Sequence, residues 1–255
     1  MTGCYFSLSY LILMTFDPFG GIIYLWIAVL YGVLFNGGDA MATIIFLAVF
    51  LISTAIHLYA SLKQDKKLRN LTKPFILAAL LGFYVFTAKH VLLMIILALF
   101  FSWLGDVLLM PKGIKWFTAG GISFMISHVF FILGYMNDIT FSSMGLLIVI
   151  PIAIVFAALV IYIFSKLKEH LPKPLFYPML LYLLINGTMN CFALFRLISL
   201  PCIATVITCI GAFLFFISDS TLFFVRFKKD GRIETHFWVM LTYSIGELLI
   251  IIGLL

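Results

Sequence analysis

The sequence predicts an all-α fold, a polytopic membrane bundle of eight core transmembrane helices behind a separate N-terminal hydrophobic segment. Three observations carry this expectation. The 255 residues are 64% hydrophobic and only 10% charged, with a mean hydropathy of +1.22, whereas soluble chains carry about 25% charged residues. The apolar residues come in runs of roughly 16–24, close to the ~20 that a helix needs to cross the hydrocarbon core. The basic residues fall in every second gap between these runs, as the enrichment of Lys and Arg in cytoplasmic loops requires. Together these exclude a soluble enzyme, a disordered chain and a disulfide-built secreted scaffold.

The spans are expected at 41–62, 74–88, 91–110, 114–136, 144–164, 175–197, 202–225 and 236–254. The first is an apolar run from Met41, closed by Lys63, Lys66, Lys67 and Arg69. The second opens at Lys73-Pro74, because proline suits a first helical turn, and ends at Lys89-His90. The third runs to Met110, and the loop after it carries Lys112 and Lys115. The fourth ends at Asn137-Asp138, and the fifth at Lys166 and Lys168. The sixth follows Lys173 and stops at Ser199-Leu200-Pro201. The seventh meets Arg226, Lys228, Lys229 and Arg232, and the eighth completes the chain. Basic loops on one side place those loops in the cytoplasm and the C-terminus outside. The net charge of +6 then reads as topology and headgroup contact, not as affinity for nucleic acid.

Residues 1–40 stand apart from residues 41–255. Phe19–Phe35 is long enough for one more span, while Cys4–Phe16, cut short by Asp17-Pro18, reads as interfacial. No Lys or Arg precedes Lys63, so no cleavable leader is expected. Cys4, Cys191, Cys202 and Cys209 form no CxxC pair and read as small core hydrophobes. Leu71-Thr72-Lys73-Pro74-Phe75 weakly resembles Leu171-Pro172-Lys173-Pro174-Leu175, and Phe100–Asp106 weakly resembles Phe213–Asp219. A parallel four-helix tandem repeat is one reading of these matches; chance similarity between apolar runs is the other.

Ionisable residues inside a span are costly and turn towards the bundle interior or a wet cavity. Here they are Asp106, His128, Asp219 and Glu247, with Lys73 and Arg196 near span ends. Asp106 lies roughly 6 Å from the end of its span and Asp219 roughly 10 Å, at 1.5 Å per residue. Their similar depth on the same side predicts one cytoplasm-facing pocket. Ser102 and Asp106, Asn186 and Asn190, and Tyr243 and Glu247 are each four residues apart and share helix faces. Gly120-Gly121, two turns from His128, predicts a close helix approach. Other readings stand beside these: the asparagines as interhelical hydrogen bonds, Tyr243 and Glu247 as a mutual pair, Lys73 as a topology signal, and Arg196 as a headgroup contact.

The chain carries Lys73-Pro74, then Ser102-Trp103-Leu104-Gly105-Asp106-Val107-Leu108-Leu109, then Gly121-Ile122-Ser123-Phe124-Met125-Ile126-Ser127-His128. Gly211-Ala212-Phe213-Leu214-Phe215-Phe216-Ile217-Ser218-Asp219 and Leu241-Thr242-Tyr243 follow. In this order and spacing the chain resembles the YhhN family of membrane proteins, which includes the lysoplasmalogenases, over about residues 41–254. The family pattern has a glutamine in the last helix where this chain has Glu247. The resemblance implies hydrolysis of the sn-1 vinyl-ether bond of a lysoplasmalogen, giving a fatty aldehyde and a glycerophospho-ethanolamine or -choline. Its partners would be a lysophospholipid substrate and membrane lipids, with no nucleic acid, and in a bacterium it would sit in the inner membrane.

Vinyl-ether hydrolysis needs an acid that protonates the β-carbon and a carboxylate that faces the oxocarbenium ion, as the glycosidase pair does. Two nearby buried carboxyls divide into a protonated and an ionised partner. Asp106 and Asp219 fit those roles in either order, with His128 orienting water or moving a proton. Lys73 would hold the substrate phosphate as a point charge. Ser102, Asn186, Asn190, Tyr243 and Glu247 are the further candidates for substrate contact. No cofactor is expected, and no His, Cys or carboxylate set has metal-ligand spacing. Two rivals are weighed. A proton-coupled lipid or small-molecule transporter could use the same intramembrane acids. An intramembrane aspartyl protease would need Tyr-Asp and Gly-x-Gly-Asp motifs, which the residues before Asp106 and Asp219 do not supply.

Overall fold

A computed structural model describes residues 40–228 and 235–255. The expectations for the N-terminal hydrophobic segment, and for Lys229 and Arg232, lie outside the described residues. Those described form eight α-helices and no strand: α1 (Ala40–Leu62), α2 (Lys66–Thr87), α3 (Leu93–Leu108), α4 (Ile114–Tyr135), α5 (Ser143–Leu167), α6 (Phe176–Ser199), α7 (Ile203–Phe223) and α8 (Thr235–Ile252). Six of them, α1, α2 and α4 to α7, are long and apolar enough to cross a membrane. The other two are apolar but shorter: α3 has 16 residues, and the apolar stretch of α8 is His236–Ile252.

The ends of these helices agree with the sequence expectation to within a few residues, except at the start of α2. That helix begins at Lys66, not at Pro74, because Asp65 caps it: its Oδ1 accepts from the backbone N–H of Lys67 at 2.9 Å and of Leu68 at 3.1 Å. An aspartate cap is a stronger start signal than a proline, and Pro74 is left inside the helix. The Pro74 carbonyl accepts from Trp103 Nε1 at 2.9 Å, which ties α2 to α3. Lys73 therefore sits two turns inside α2. At the other end of the chain α7 continues through a π turn, Phe224–Lys228.

Helix α2 lies at the centre of its half of the bundle. Leu77, Leu80, Leu81 and Tyr84 are all fully buried, and the helix packs on α1, α3 and α8. Helix α5 is the opposite case: Leu147, Ile154 and Ile161 are exposed, as a surface facing lipid tails would be. Helix α6 is set among α4, α5 and α7, and α7 packs on α8. At Gly211 and Gly246 these last two helices meet backbone to backbone. A Cβ on Gly211 would lie 2.7 Å from both the Gly246 carbonyl oxygen and the Ile250 nitrogen.

The expected close approach at Gly120-Gly121 holds at one position only. Gly120 packs on Leu109 and on the Gly105 carbonyl, whereas a Cβ on Gly121 would meet nothing within 4 Å. Arg196 is not a headgroup contact. It is 6% exposed, and it donates to Asp138 Oδ2 at 2.7 Å, Thr208 Oγ1 at 3.0 Å and the Gly253 carbonyl at 2.9 Å. A planar guanidinium suits three fixed acceptors better than solvent when they converge at one helix end. Of the cysteines described, Cys191 is buried, Cys209 is half-buried and Cys202 is exposed at the start of α7, so Cys202 departs from the core reading.

Candidate functional site

Asp106 lies in the last turn of α3, 3% exposed. Its Oδ1 is 3.1 Å from Lys73 Nζ on α2, and its Oδ2 accepts from the Tyr243 hydroxyl on α8 at 2.9 Å. The extension of α2 to Lys66 is what carries Lys73 deep enough to reach it. Asp219, in the last turns of α7, is 5% exposed. Its Oδ2 accepts from the Tyr182 hydroxyl at 2.5 Å and from Asn186 Nδ2 at 2.7 Å, both on α6. His128 Nε2 on α4 lies 3.6 Å from the same oxygen, with its ring against Tyr182 and Phe215. One aspartate is thus held by a cation and the other by neutral donors.

Both aspartates line one cavity of about 460 Å³. Its wall carries five cations, Lys66, Arg69, Lys73, Lys112 and Arg226, against the two carboxyls, and also His57, His236 and Tyr243. A cavity so lined favours an anionic group. Apolar side chains such as Leu109, Phe117, Phe124 and Leu222 complete the wall. The matched depth of the two aspartates, read from the distance of each to its span end, therefore corresponds to a common chamber.

The remaining candidates lie behind this chamber. Ser102 Oγ and Ser127 Oγ are 2.7 Å apart, fully buried between α3 and α4. Asn190 Nδ2 donates to the Asn186 carbonyl at 3.0 Å and lies 3.3 Å from its side-chain oxygen, so it steadies the residue that holds Asp219. Glu247 is fully buried and faces Ser102, with no close hydrogen bond to either carboxyl oxygen among the described residues. Tyr243 and Glu247 do not pair as the shared face suggested, because the Tyr243 hydroxyl is taken by Asp106. Among the described residues no three His, Cys, Asp or Glu side chains gather as metal ligands.

Sequence reasoning missed Tyr182, although it stands four residues before Asn186 on the same helix face. Extending the Asn186–Asn190 stripe by one turn would have found it. His57, Arg69 and His236 were missed because each is near a span end, where charge and polarity read as topology.

The YhhN family model matches residues 68–254. The chain belongs to the YhhN family. No curated protein and no solved structure matches it. The YhhN match begins within the first turn of α2, so α1, which brings His57 to the cavity, precedes it. The YhhN segment supplies both aspartates, Lys73, His128, Tyr182 and Tyr243, and the helix ahead of it supplies part of the cavity wall.

Proposed function

We propose that this YhhN protein is a membrane hydrolase that cleaves the sn-1 vinyl-ether bond of a lysoplasmalogen. The observation that carries this reading is the unequal pair on one cavity. Asp106 has a lysine at 3.1 Å and serves as the ionised carboxylate. Among the described residues Asp219 has no Lys or Arg within hydrogen-bond reach and takes both close donors on Oδ2, which leaves Oδ1 to carry a proton. Asp219 then delivers that proton to the β-carbon of the vinyl ether, and the double-bond electrons form the new C–H bond. The positive charge left on the α-carbon and ether oxygen is stabilised by Asp106. Water adds to the α-carbon and returns a proton to Asp219, with His128 orienting the water beside it. The hemiacetal passes its hydroxyl proton to the glycerol oxygen, the C–O bond breaks, and aldehyde and glycerophospholipid head leave. The YhhN resemblance supplies the substrate class, and the cationic cavity suits its phosphate.

The chain crosses the membrane eight times in this reading, α3 and α8 as short spans, with the basic loops and the cavity mouth in the cytoplasm. The deciding experiment is aldehyde release from detergent-solubilised protein fed lysoplasmalogen. An enzyme needs no sealed compartment; a transporter does. Aldehyde release is expected, and its absence together with lipid movement across sealed vesicles would replace the hydrolase by a transporter.

Lys73 takes a different role here from the phosphate clamp that the sequence suggested, since Asp106 occupies it. Lys73→Ala is expected to lower kcat with KM little changed. A charge-assisted hydrogen bond contributes about 1.5–3 kcal/mol, which is about 10–100-fold in rate. Steady-state kinetics separate the two outcomes: a raised KM at constant kcat would return Lys73 to substrate binding.

A further inference from the structure

We propose that the cavity contains a seat for a phosphoethanolamine headgroup, with the phosphate at Arg69 and the amine at His57. The inference rests on the lysophospholipid reading above and names the head that the site selects. Lys73 is spent on Asp106, so the phosphate needs another cation. Arg69 stands about one turn from Lys73 towards the start of α2, half-buried on the same wall, and its Nε has no hydrogen-bond partner among the described residues. A guanidinium in that state lacks the planar, bidentate acceptor for which its geometry is suited.

His57 supplies the second half. It is 1% exposed and lines the same cavity. Its Nδ1 is 3.0 Å from Thr72 Oγ1. The single proton of that hydroxyl is directed at the Leu68 and Arg69 carbonyls, at 3.0 and 3.2 Å. The hydroxyl therefore accepts from Nδ1–H, which leaves Nε2 as a bare acceptor. That nitrogen has no donor among the described residues, and a buried acceptor without a donor is costly. A primary ammonium brings a donor; a trimethylammonium brings none. The amine lies near Lys73 and Arg69, and the phosphate of the same head, bound at Arg69, supplies the counter-charge it needs there. His236 stands edge-on to His57, with ring centroids 6.3 Å apart, and closes the far side. Thr72 bonds both the His57 ring and the Arg69 backbone carbonyl, and the His57 and Arg69 side chains line the same cavity.

The test measures binding of three saturated lipids that the enzyme cannot cleave: 1-O-alkyl lysophosphoethanolamine, 1-O-alkyl lysophosphocholine and 1-O-alkylglycerol. The unmodified protein in detergent should bind the ethanolamine lipid about tenfold more tightly than the choline lipid, the value of one hydrogen bond to a charged group. Both should bind more tightly than the alkylglycerol. Arg69→Gln should remove the advantage of both phospholipids over the alkylglycerol. His57→Phe should abolish the ethanolamine–choline difference and keep the phosphate advantage. Thr72→Val, which frees His57 to change tautomer, should shrink the same difference and serves as a second variant if His57→Phe is unstable. Equal binding of ethanolamine and choline lipids, or an unchanged ratio in both His57 and Thr72 variants, overturns the seat. Free phosphoethanolamine that competes as well as the lipid would make the seat one for the soluble head and would overturn the lipid assignment. Because no bond is broken, a protein that discriminates the heads yet releases no aldehyde sinks the hydrolase and leaves the seat. One that releases aldehyde without discrimination does the reverse.

Discussion

Asp219→Asn is expected to lower vinyl-ether hydrolysis by about 10²–10⁴-fold, the usual contribution of a positioned acid–base group. Asparagine keeps the size of the side chain, and its oxygen can still accept from Tyr182 and Asn186, so the α6–α7 contact survives. What is lost is the proton on the second oxygen, and an amide cannot deliver a proton to carbon. The matching change, Asp106→Asn, removes the charge that faces the oxocarbenium ion and leaves Lys73 without its partner. It should cost as much in rate and more in stability, because an unpaired buried cation remains. Residues that act as a unit are not additive, so the double variant should be little slower than the slower single one. Initial rates of aldehyde release, with thermal unfolding in detergent as the folding control, check all three. An Asp219→Asn protein that keeps more than about a tenth of the activity, far short of an acid–base loss, would remove Asp219 from the chemistry.

The second large effect is on folding. Gly211→Ala should destabilise the α7–α8 pair by about 1–3 kcal/mol, the range for an overpacked core, and Gly211→Val by more. The obstruction is backbone: the new Cβ would lie 2.7 Å from the Gly246 carbonyl oxygen and the Ile250 nitrogen, and neither can rotate away. Gly246 faces the same seam, its own Cβ position 2.9 Å from the Gly211 carbonyl. Separating the helices also moves Tyr243 on α8 away from Asp106 and shifts Asp219 on α7, so activity should fall with stability. Gly121→Ala is the control, since that position faces open space, and it should stay within about 0.5 kcal/mol, as surface changes do. Equal unfolding temperatures for the two alanine variants would mean that the seam can open at little cost.

What the sequence revealed divides along physical lines. Helix positions were legible because apolarity is a property of whole runs. The shared chamber of Asp106 and Asp219 was legible because depth along a helix is proportional to residue count. Partner choice was not, because it depends on which helices become neighbours. Tyr243 was read against Glu247 on its own helix, yet its hydroxyl bonds Asp106, 137 residues away in the chain. Arg196 looked like a headgroup contact because a charge near a span end often snorkels. Its three acceptors come from the loop after α4, from α7 and from the residue after α8, and none is visible from position 196 alone. Pro74 misplaced the start of α2 because two start signals competed and the one at Asp65 won.

The ion pair between Lys73 and Asp106 bears on how the chain enters the bilayer. A lysine or an aspartate at the centre of an inserting helix costs about 2.5–3.5 kcal/mol, and less towards an end, where Asp106 sits in the last turn of α3. Helices α2 and α3 are consecutive and joined by a short connector, residues 88–92, and they bring opposite charges to within 3.1 Å. Threaded one at a time, each helix would carry an unmatched charge into hydrocarbon. Threaded as a hairpin, each arrives with its counter-charge, and the indole of Trp103 occupies the Pro74 carbonyl at the same step. In the proposed eight-span topology the pair favours insertion of α2 and α3 together as a hairpin.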